Sequence, residues 1–291
     1  MFTVSNVLLL VLAILAIIFA VVFIKDLVAH KDNFEKDTSA VVTGIIGVVA
    51  NFFDTLGIGS FAPTTAALRF AKQSEDRLIP GTLNVACTIP VIFEAFLFIK
   101  GVEVEPLTLA GMLIAAAVGS YVGAGIVSKL PTKLIQLVMS VALFVTAIIF
   151  ALQLVHIFPS GNDASQIYGL HGGKLVLAIV VNFVLGALMT AGIGLYAPCM
   201  ALIYLLGVNP TAAFPIMMGS CAYLMPVASV RFVKEGAYNR KASLFITIGG
   251  VIGVAVAYYL VKSMPLGILK ILVTAVVFYT AVTLFLSSRK K

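Results

Sequence analysis

Hydrophobic residues occur in long runs that are separated by short polar connections along nearly the whole chain. Most of these runs have the length of about 20 residues that a helix needs to cross a lipid bilayer. The pattern therefore predicts an all-α polytopic membrane protein. The runs cover approximately residues 4–24, 40–72, 78–99, 107–127, 134–155, 174–206, 210–230, 243–261 and 267–286.

Two of the runs, 40–72 and 174–206, are too long for one crossing and too short for two. A continuous helix of this length would measure about 50 Å, whereas the hydrocarbon core is about 30 Å thick. Two complete crossings would need about 40 residues and a turn. We therefore expect each run to form a helix, a break and a shorter half-helix, which together make a re-entrant hairpin.

Both long runs carry the same group of helix-breaking residues. The sequence GIGSFAP at 57–63 returns as GIGLYAP at 192–198, and Pro80 and Pro131 have counterparts at Pro215 and Pro265. This repetition predicts two related units that each begin with a broken helix. The predicted organisation is an N-terminal transmembrane helix and cytoplasmic loop at 1–39, a first repeat at 40–155, an extracytoplasmic linker at 156–173, a second repeat at 174–286 and a basic tail at 287–291.

The distribution of basic residues favours the re-entrant arrangement. If both long runs return to the side they enter, 15 of the 19 Lys and Arg residues lie on one side, whereas single crossings would leave 12 there. Basic residues accumulate in cytoplasmic loops, so the first arrangement is preferred. Each repeat then crosses an odd number of times, which predicts inverted repeats, a common transporter design. We expect a multi-pass cell-membrane protein with its N-terminus outside and its C-terminus in the cytoplasm.

Broken helices leave backbone N–H groups that hydrocarbon cannot satisfy, and a bound anion can accept their hydrogen bonds. Gly59 and Gly194 would let a ligand approach the backbone closely. The alternative is that these glycines only allow tight helix packing. The candidate substrate-binding residues are Gly57, Gly59, Ser60, Pro63, Thr64 and Asn84 in the first repeat, and Gly192, Gly194, Tyr196, Pro198 and Ser220 in the second.

Two acidic residues lie inside apolar runs. Asp54 comes three positions before Gly57, and a carboxylate at this depth is a functional candidate because its burial is costly. It could carry a coupling proton, cap the broken helix or pair with a basic residue. The equivalent residue of the second repeat is Met189. Glu94 lies near the end of its run, and we expect it to be an interfacial or ion-paired residue.

Other side chains offer little catalytic chemistry. Cys87, Cys199 and Cys221 have no CxxC spacing, and we expect them to be packing residues. No metal site, cofactor or catalytic residue is predicted. The net charge of +7 reflects membrane orientation, so it does not indicate a nucleic-acid partner. Without a nucleotide-binding loop, transport energy would come from an ion gradient or the membrane potential.

The residues around the first break resemble a known family. Phe53-Asp54-Thr55, followed by Gly57-Ile58-Gly59 and Pro63, is similar to the sulfite exporter TauE/SafE family. The resemblance implies a transporter of small sulfur-containing anions such as sulfite, thiosulfate or organosulfonates, and not an enzyme. It is carried by Asp54, Gly57, Gly59, Pro63 and Asn84, and in the second repeat by Gly192, Gly194 and Pro198. The family's run of three or four successive glycines is missing here.

The expected partners are a small anion, the lipid bilayer and a coupling proton, while the oligomeric state is left open. Two other functions are compatible with the same residues. An anion channel can also be lined by broken helices, and an intramembrane sulfur-handling enzyme or thiol carrier would use the cysteines. Saturable flux with counterflow would indicate a carrier, and transport by a cysteine-free variant would exclude the thiol carrier.

Overall fold

A computed structural model describes residues 4–98, 104–154, 167–209 and 212–260, with 278–279, 281–282, 285–286 and 288–289 near the C-terminus. These residues form helices and contain no β-strand, which confirms the all-α prediction. The helices are α1 (Val4–Ala29), α2 (Ala40–Thr55), α3 (Phe61–Phe70), α4 (Ile79–Phe98), α5 (Pro106–Val127), α6 (Thr132–Leu154), α7 (Gly172–Met189), α8 (Tyr196–Leu205), α9 (Ala213–Lys234) and α10 (Arg240–Leu260).

Within the described residues, seven helices are long and apolar enough to cross a membrane, namely α1, α4, α5, α6, α7, α9 and α10. The multi-pass prediction is therefore confirmed. The predicted run at 267–286 lies mostly outside the described residues. The predicted unit boundaries at residues 155 and 286 lie at or beside undescribed residues, and they stay predictions.

Each of the two long apolar runs returns to the side from which it enters. At the first hairpin, Thr38 Oγ1 donates to Gln73 O at 2.9 Å and Ser39 N donates to Gln73 Oε1 at 2.6 Å. At the second, Lys174 Nζ donates to Leu206 O at 3.1 Å. Helices α3 and α8 have ten residues each. At about 15 Å they reach only half-way through the hydrocarbon core, so both runs are re-entrant hairpins.

The loops gather at two polar faces of the helix bundle. We call one the basic face, formed by residues 25–39, 69–78, 129–136 and 231–241, and its contacts include Asn239 Nδ2 to Thr38 Oγ1 and Gln136 Nε2 to Asp76 Oδ2. The opposite face is formed by residues 104–108, 167–174 and 206–209. There Glu105 N donates to Tyr168 O at 2.9 Å and Asn209 N donates to Ile167 O at 2.8 Å.

These two faces establish the inversion of the repeats. The first hairpin starts and ends at the basic face, whereas the second starts and ends at the opposite face. Helix packing follows the same symmetry, because α2 packs on α10 and α5 packs on α7, while α4 and α9 pack on each other. The prediction of two inverted repeats with broken helices and one extra N-terminal helix is confirmed.

Glycines allow the first helix of each hairpin to approach a helix of the other repeat. A Cβ at Gly253 in α10 would collide with the carbonyl oxygen of Val48 in α2. At the matching position of the first repeat, a Cβ at Gly119 in α5 would collide with the carbonyl oxygen of Phe183 in α7. Backbone approach of this kind is a common way to pack helices in membranes. It holds both hairpins against the body of the protein.

The central helices α4 and α9 each contain an interior proline, Pro90 and Pro226. A proline inside a helix leaves the carbonyl four residues earlier without its usual donor. For Pro90 that carbonyl is Ala86 O, and Thr247 Oγ1 of α10 donates to it at 2.8 Å. Helix α4 is thus tied to the second repeat where its own hydrogen-bond ladder is interrupted.

The extra helix α1 is fastened to the second repeat at both ends. Tyr223 Oη of α9 donates to Leu8 O at 2.6 Å. At the basic face, the Arg240 guanidinium pairs with Asp26 at 2.7 Å. In the following loop, the Glu35 carboxylate accepts from the backbone N–H groups of Arg240 and Lys241. This carboxylate satisfies orphan donors at the start of α10.

Candidate functional site

The first helix break is built by two left-handed glycines. Ile58 N donates to Phe53 O at 3.1 Å and Gly57 N donates to Asp54 O at 2.8 Å, which is the Schellman pattern at the end of α2. This pattern requires a residue with positive φ, and Gly57 has φ of +81°. Gly59 follows with φ of +92°. The chain then turns back into α3.

Asp54 links the two halves of this hairpin. Its Oδ1 accepts a hydrogen bond from Ser60 N at 2.7 Å, so the carboxylate caps α3 across the break. The side chain is 2% exposed, and its Oδ2 has no hydrogen-bond partner in the described part of the chain. The predicted capping role is therefore observed. Pairing with a basic residue is not, because no salt bridge of the described residues involves Asp54.

The second break uses glycine in a different way. Gly192 N donates to Met189 O at 3.0 Å, and Gly192 has φ of +94°. Gly194 differs from Gly59 because its φ is not positive. Met189 stands where the first repeat has Asp54, and no hydrogen bond of the described residues caps the start of α8 through a side chain.

A cavity lined by described residues lies between the two breaks. Its volume is about 20 Å³, measured as the space open to the centre of a water-sized sphere. This is enough for about one water molecule. Residues of both hairpins, of α4 and of α9 line it, namely Asp54, Ile58, Gly59, Ser60, Phe61, Ala62, Val91, Met189, Gly194, Leu195, Tyr196 and Cys221.

Comparison with known proteins agrees with this architecture. The family model described as Sulfite exporter TauE/SafE matches residues 1–150, which is just over half of the 291-residue chain. The chain belongs to the TauE/SafE family. Membership places it among membrane transporters and implies a small anionic substrate in a lipid environment. No curated protein and no solved structure matches the chain.

The structure brings five of the predicted functional residues of this TauE/SafE protein to the cavity wall: Asp54, Gly59, Ser60, Gly194 and Tyr196. A Cβ at Gly59 or Gly194 would meet no atom within 4 Å, so both glycines leave open space beside the backbone. The Tyr196 hydroxyl is buried and has no hydrogen-bond partner among the described residues. The role of Asp54 in coupling, and that of the other four residues as anion ligands, stay predictions.

The other predicted residues lie behind the wall. Asn84 Nδ2 donates to Pro80 O at 2.9 Å, and Ser220 Oγ accepts from Asn182 Nδ2 at 3.0 Å. Thr64 is fully buried. The remaining four shape the breaks: Gly57 and Gly192 have positive φ after α2 and α7, and Pro63 and Pro198 lie in the first turns of α3 and α8. Direct contact of these seven residues with an anion also stays a prediction.

The expectation for Glu94 is wrong. Glu94 is 0% exposed, neither of its carboxyl oxygens accepts a hydrogen bond in the described part of the chain, and no described salt bridge includes it. It lies three residues after Val91, which lines the cavity, so both belong to one face of α4. That face turns toward the breaks, which is why Glu94 lies beside Asp54 and not at the membrane interface.

Sequence reasoning also missed the composition of the cavity wall. Cys221 lines the cavity, and its Sγ lies 3.6 Å from Met189 Sδ. The described lining contains no Lys, Arg or His. Within the described lining of this TauE/SafE site, attraction for an anion would therefore have to come from the helix N-termini, whose backbone dipoles carry a partial positive charge.

Proposed function

We propose that this TauE/SafE protein is a secondary transporter that moves a small sulfur-containing oxyanion through the cavity between the two helix breaks. The observation that carries the proposal is the meeting of two half-helix N-termini, from oppositely inserted hairpins, at one cavity. Half-helix N-termini that converge on anionic substrate groups near the middle of the membrane are typical of secondary transporters.

Backbone donors supply the anion-binding chemistry. The first helical hydrogen bond of α3 is Thr64 N to Ser60 O, so the N–H groups of Phe61 and Ala62 are not used inside the helix. Each unsatisfied donor in hydrocarbon costs several kcal/mol. An oxyanion offers several acceptors at once and interacts favourably with the helix dipole. The open space at Gly59 and Gly194 lets such an anion reach the backbone.

The size of the cavity indicates how transport would proceed. A space for about one water molecule is too small for sulfite or thiosulfate, so the cavity must widen before such an anion can bind. One hairpin reaches the cavity from the basic face and the other from the opposite face. We propose that displacement of each hairpin in turn opens the cavity to one side, which is alternating access.

We also propose that the basic face lies in the cytoplasm, with the N-terminus outside and the C-terminus inside. Twelve described Lys and Arg residues lie in the segments of the basic face, whereas Lys174 lies in the segments of the opposite face. This bias matches the positive-inside rule. A membrane-impermeant maleimide should label Gly173→Cys in intact cells and Glu75→Cys only after permeabilisation, in a background without the three native cysteines. The reverse pattern would overturn the orientation.

The substrate proposal can be tested by thermal stabilisation of the purified full-length protein. Sulfite, thiosulfate, sulfate and organosulfonates should be compared with chloride at equal ionic strength. A ligand at 100 times its dissociation constant stabilises the folded state by about 2.7 kcal/mol. We expect at least one sulfur oxyanion to raise the melting temperature more than chloride does. Stabilisation by cations alone would contradict the anion site.

Flux measurements in proteoliposomes then separate a carrier from a channel. We expect uptake of radiolabelled thiosulfate or sulfite to saturate, and unlabelled substrate inside the vesicles to accelerate it by counterflow. A conductance that never saturates would instead support the anion channel. A variant without Cys87, Cys199 and Cys221 should still transport, because all three are buried and a buried cysteine behaves as a small hydrophobic residue. Loss of transport with normal folding would favour the thiol carrier.

A further inference from the structure

Two carboxyl groups lie together at the cavity. Asp54 lies in its wall, and Glu94 belongs to the cavity-facing side of α4, one helical turn beyond Val91. The Asp54 carboxyl lies within reach of a hydrogen bond to Glu94 when one of the two carries a proton. Oδ1 of Asp54 is already engaged by Ser60 N, which leaves its Oδ2 for this contact.

Among the described residues, the surroundings of the pair contain no compensating positive charge. The titratable groups that face it in the described residues are the thiol of Cys87 on α4, the hydroxyl of Tyr196 on α8 and the thiol of Cys221 on α9. None of them carries positive charge. Two adjacent ionised carboxylates repel each other, and an unpaired buried charge is costly. A shared proton removes one negative charge and forms a hydrogen bond between the groups.

A bound oxyanion increases the repulsion between negative charges at this site. Its negative charge would enter a cavity with two carboxyl groups and only backbone dipoles to attract it. A proton on the pair lowers the repulsion between the carboxyl groups and the anion. The attraction of the anion to the helix N-termini then outweighs the remaining repulsion. We propose that Asp54 and Glu94 form one proton site that must be loaded before the anion binds. This inference rests on the proposed anion transport and adds its coupling.

The proton balance of one cycle follows from this order. One proton from the aqueous phase on the entry side binds between Asp54 Oδ2 and Glu94, and the anion then binds to the backbone donors. Anion and proton cross together and leave on the other side, so the coupling is symport. Glu94 is therefore a coupling residue in the same sense as Asp54, because both hold the proton. Of the two residues, Asp54 alone belongs to a helix break.

The direct test is calorimetry of thiosulfate binding to the full-length wild-type protein in lipid nanodiscs. Thiosulfate keeps its charge around neutral pH, whereas sulfite gains a proton there and would confuse the measurement. Repeating the titration in buffers of different ionisation enthalpy gives the number of protons bound with the anion. Calorimetry counts only protons that the free protein does not already hold, so we expect uptake to rise from near zero to about one as the pH is raised and the free pair loses its proton. Over that alkaline range the dissociation constant should rise up to about tenfold per pH unit.

A matched pair of variants locates the proton. Glu94→Gln keeps the shape of the side chain but cannot bind a proton, so proton uptake should stay close to zero in the alkaline range where the wild-type protein takes up about one. Glu75→Gln makes the same chemical change on an exposed residue of the basic face and should bind protons and thiosulfate as the wild type does. Full proton uptake by a folded Glu94→Gln variant would contradict the proposal that Asp54 and Glu94 share the proton.

The outcomes separate this inference from the function on which it rests. Thiosulfate binding without proton uptake at any pH in the wild-type protein would overturn the proton site and leave anion transport standing. If no sulfur oxyanion binds at any pH, the proposed function itself fails. If Glu94→Gln does not fold, the wild-type proton count still decides, because a value that stays near zero at every pH contradicts the shared proton.

Discussion

The two helix breaks have the same plan but different chemistry. Both end a helix with a left-handed glycine, Gly57 in the first hairpin and Gly192 in the second, and both start a half-helix that carries proline in its first turn. Only the first places a carboxylate across the break, where Asp54 accepts from Ser60 N. At the matching position of the second break, Met189 contacts the thiol of Cys221.

This difference indicates that duplication preserved the backbone and let the side chains specialise. The first break has its leading N–H group satisfied within the protein and lies beside Glu94. At the second break, no described side chain competes for the N-terminus of α8. We infer that the first break holds the proton and that the second offers the less obstructed donors to the anion. Four sets of substitutions test this division, in order of expected effect.

The largest effect should come from filling the cavity at either break. Gly59→Val and Gly194→Val would place a side chain in open space that the anion needs. We expect thiosulfate binding to weaken by at least about 100-fold, which corresponds to about 2.7 kcal/mol. Gly173→Val is the control, because a Cβ there also meets nothing but lies on the opposite face. Unchanged thiosulfate binding in both cavity variants would show that the anion does not bind in the cavity.

The next effect concerns the cap that only the first break has. Asp54→Ala leaves Ser60 N buried without an acceptor, which should destabilise the protein by about 2 kcal/mol. Asp54→Asn keeps an acceptor oxygen and should lose less than about 1 kcal/mol. Thermal or denaturant unfolding in detergent measures both. Equal stability of the two variants would show that the capping bond contributes little.

A smaller effect on stability should distinguish Gly59 from Gly194, the second glycine of each Gly-Ile-Gly motif. Gly59→Ala forces a side chain onto a backbone with φ of +92°, so we expect a loss of about 1 kcal/mol. Gly194→Ala has no such constraint and should change stability by less than about 0.5 kcal/mol. The same unfolding assay compares them. A larger loss at Gly194 would contradict the difference in backbone geometry between the breaks.

The smallest effect is expected at the sulfur atoms of the second break. Cys221→Ala removes a buried thiol that packs against Met189 and makes no charged contact. We expect the transport rate to stay within about twofold of wild type, since a buried cysteine behaves as a small hydrophobic residue. A large loss of transport with an unchanged melting temperature would instead assign chemistry to the thiol.

The breaks could be predicted from sequence because they depend on backbone requirements that few residue types meet. Positive φ at Gly57 and Gly192 favours glycine, and the first turn of a half-helix tolerates proline. The inversion could be predicted from loop charges for a similar reason, since the membrane sorts basic residues by side. Both signals are local or one-dimensional, and they need no knowledge of which helices touch.

The inner wall of the site could not be predicted because it depends on long-range packing. Helix α4 is buried on nearly all sides, so its hydropathy does not reveal which face meets the cavity, and Glu94 was misplaced for this reason. Asn182 is a similar case. It donates to Met112 O at 2.7 Å and to Ser220, contacts that exist only once α7 packs against its neighbours.

The central claim is that an oxyanion binds where the two breaks meet. Its most direct test is anomalous X-ray diffraction from crystals of the full-length protein soaked in selenate, a heavier analogue of sulfate. The account predicts a selenium peak in the cavity between Gly59 and Gly194, within hydrogen-bonding distance of the N-terminus of α3 or α8. Selenate bound only to arginine and lysine side chains of the basic face, with the cavity empty, would contradict it.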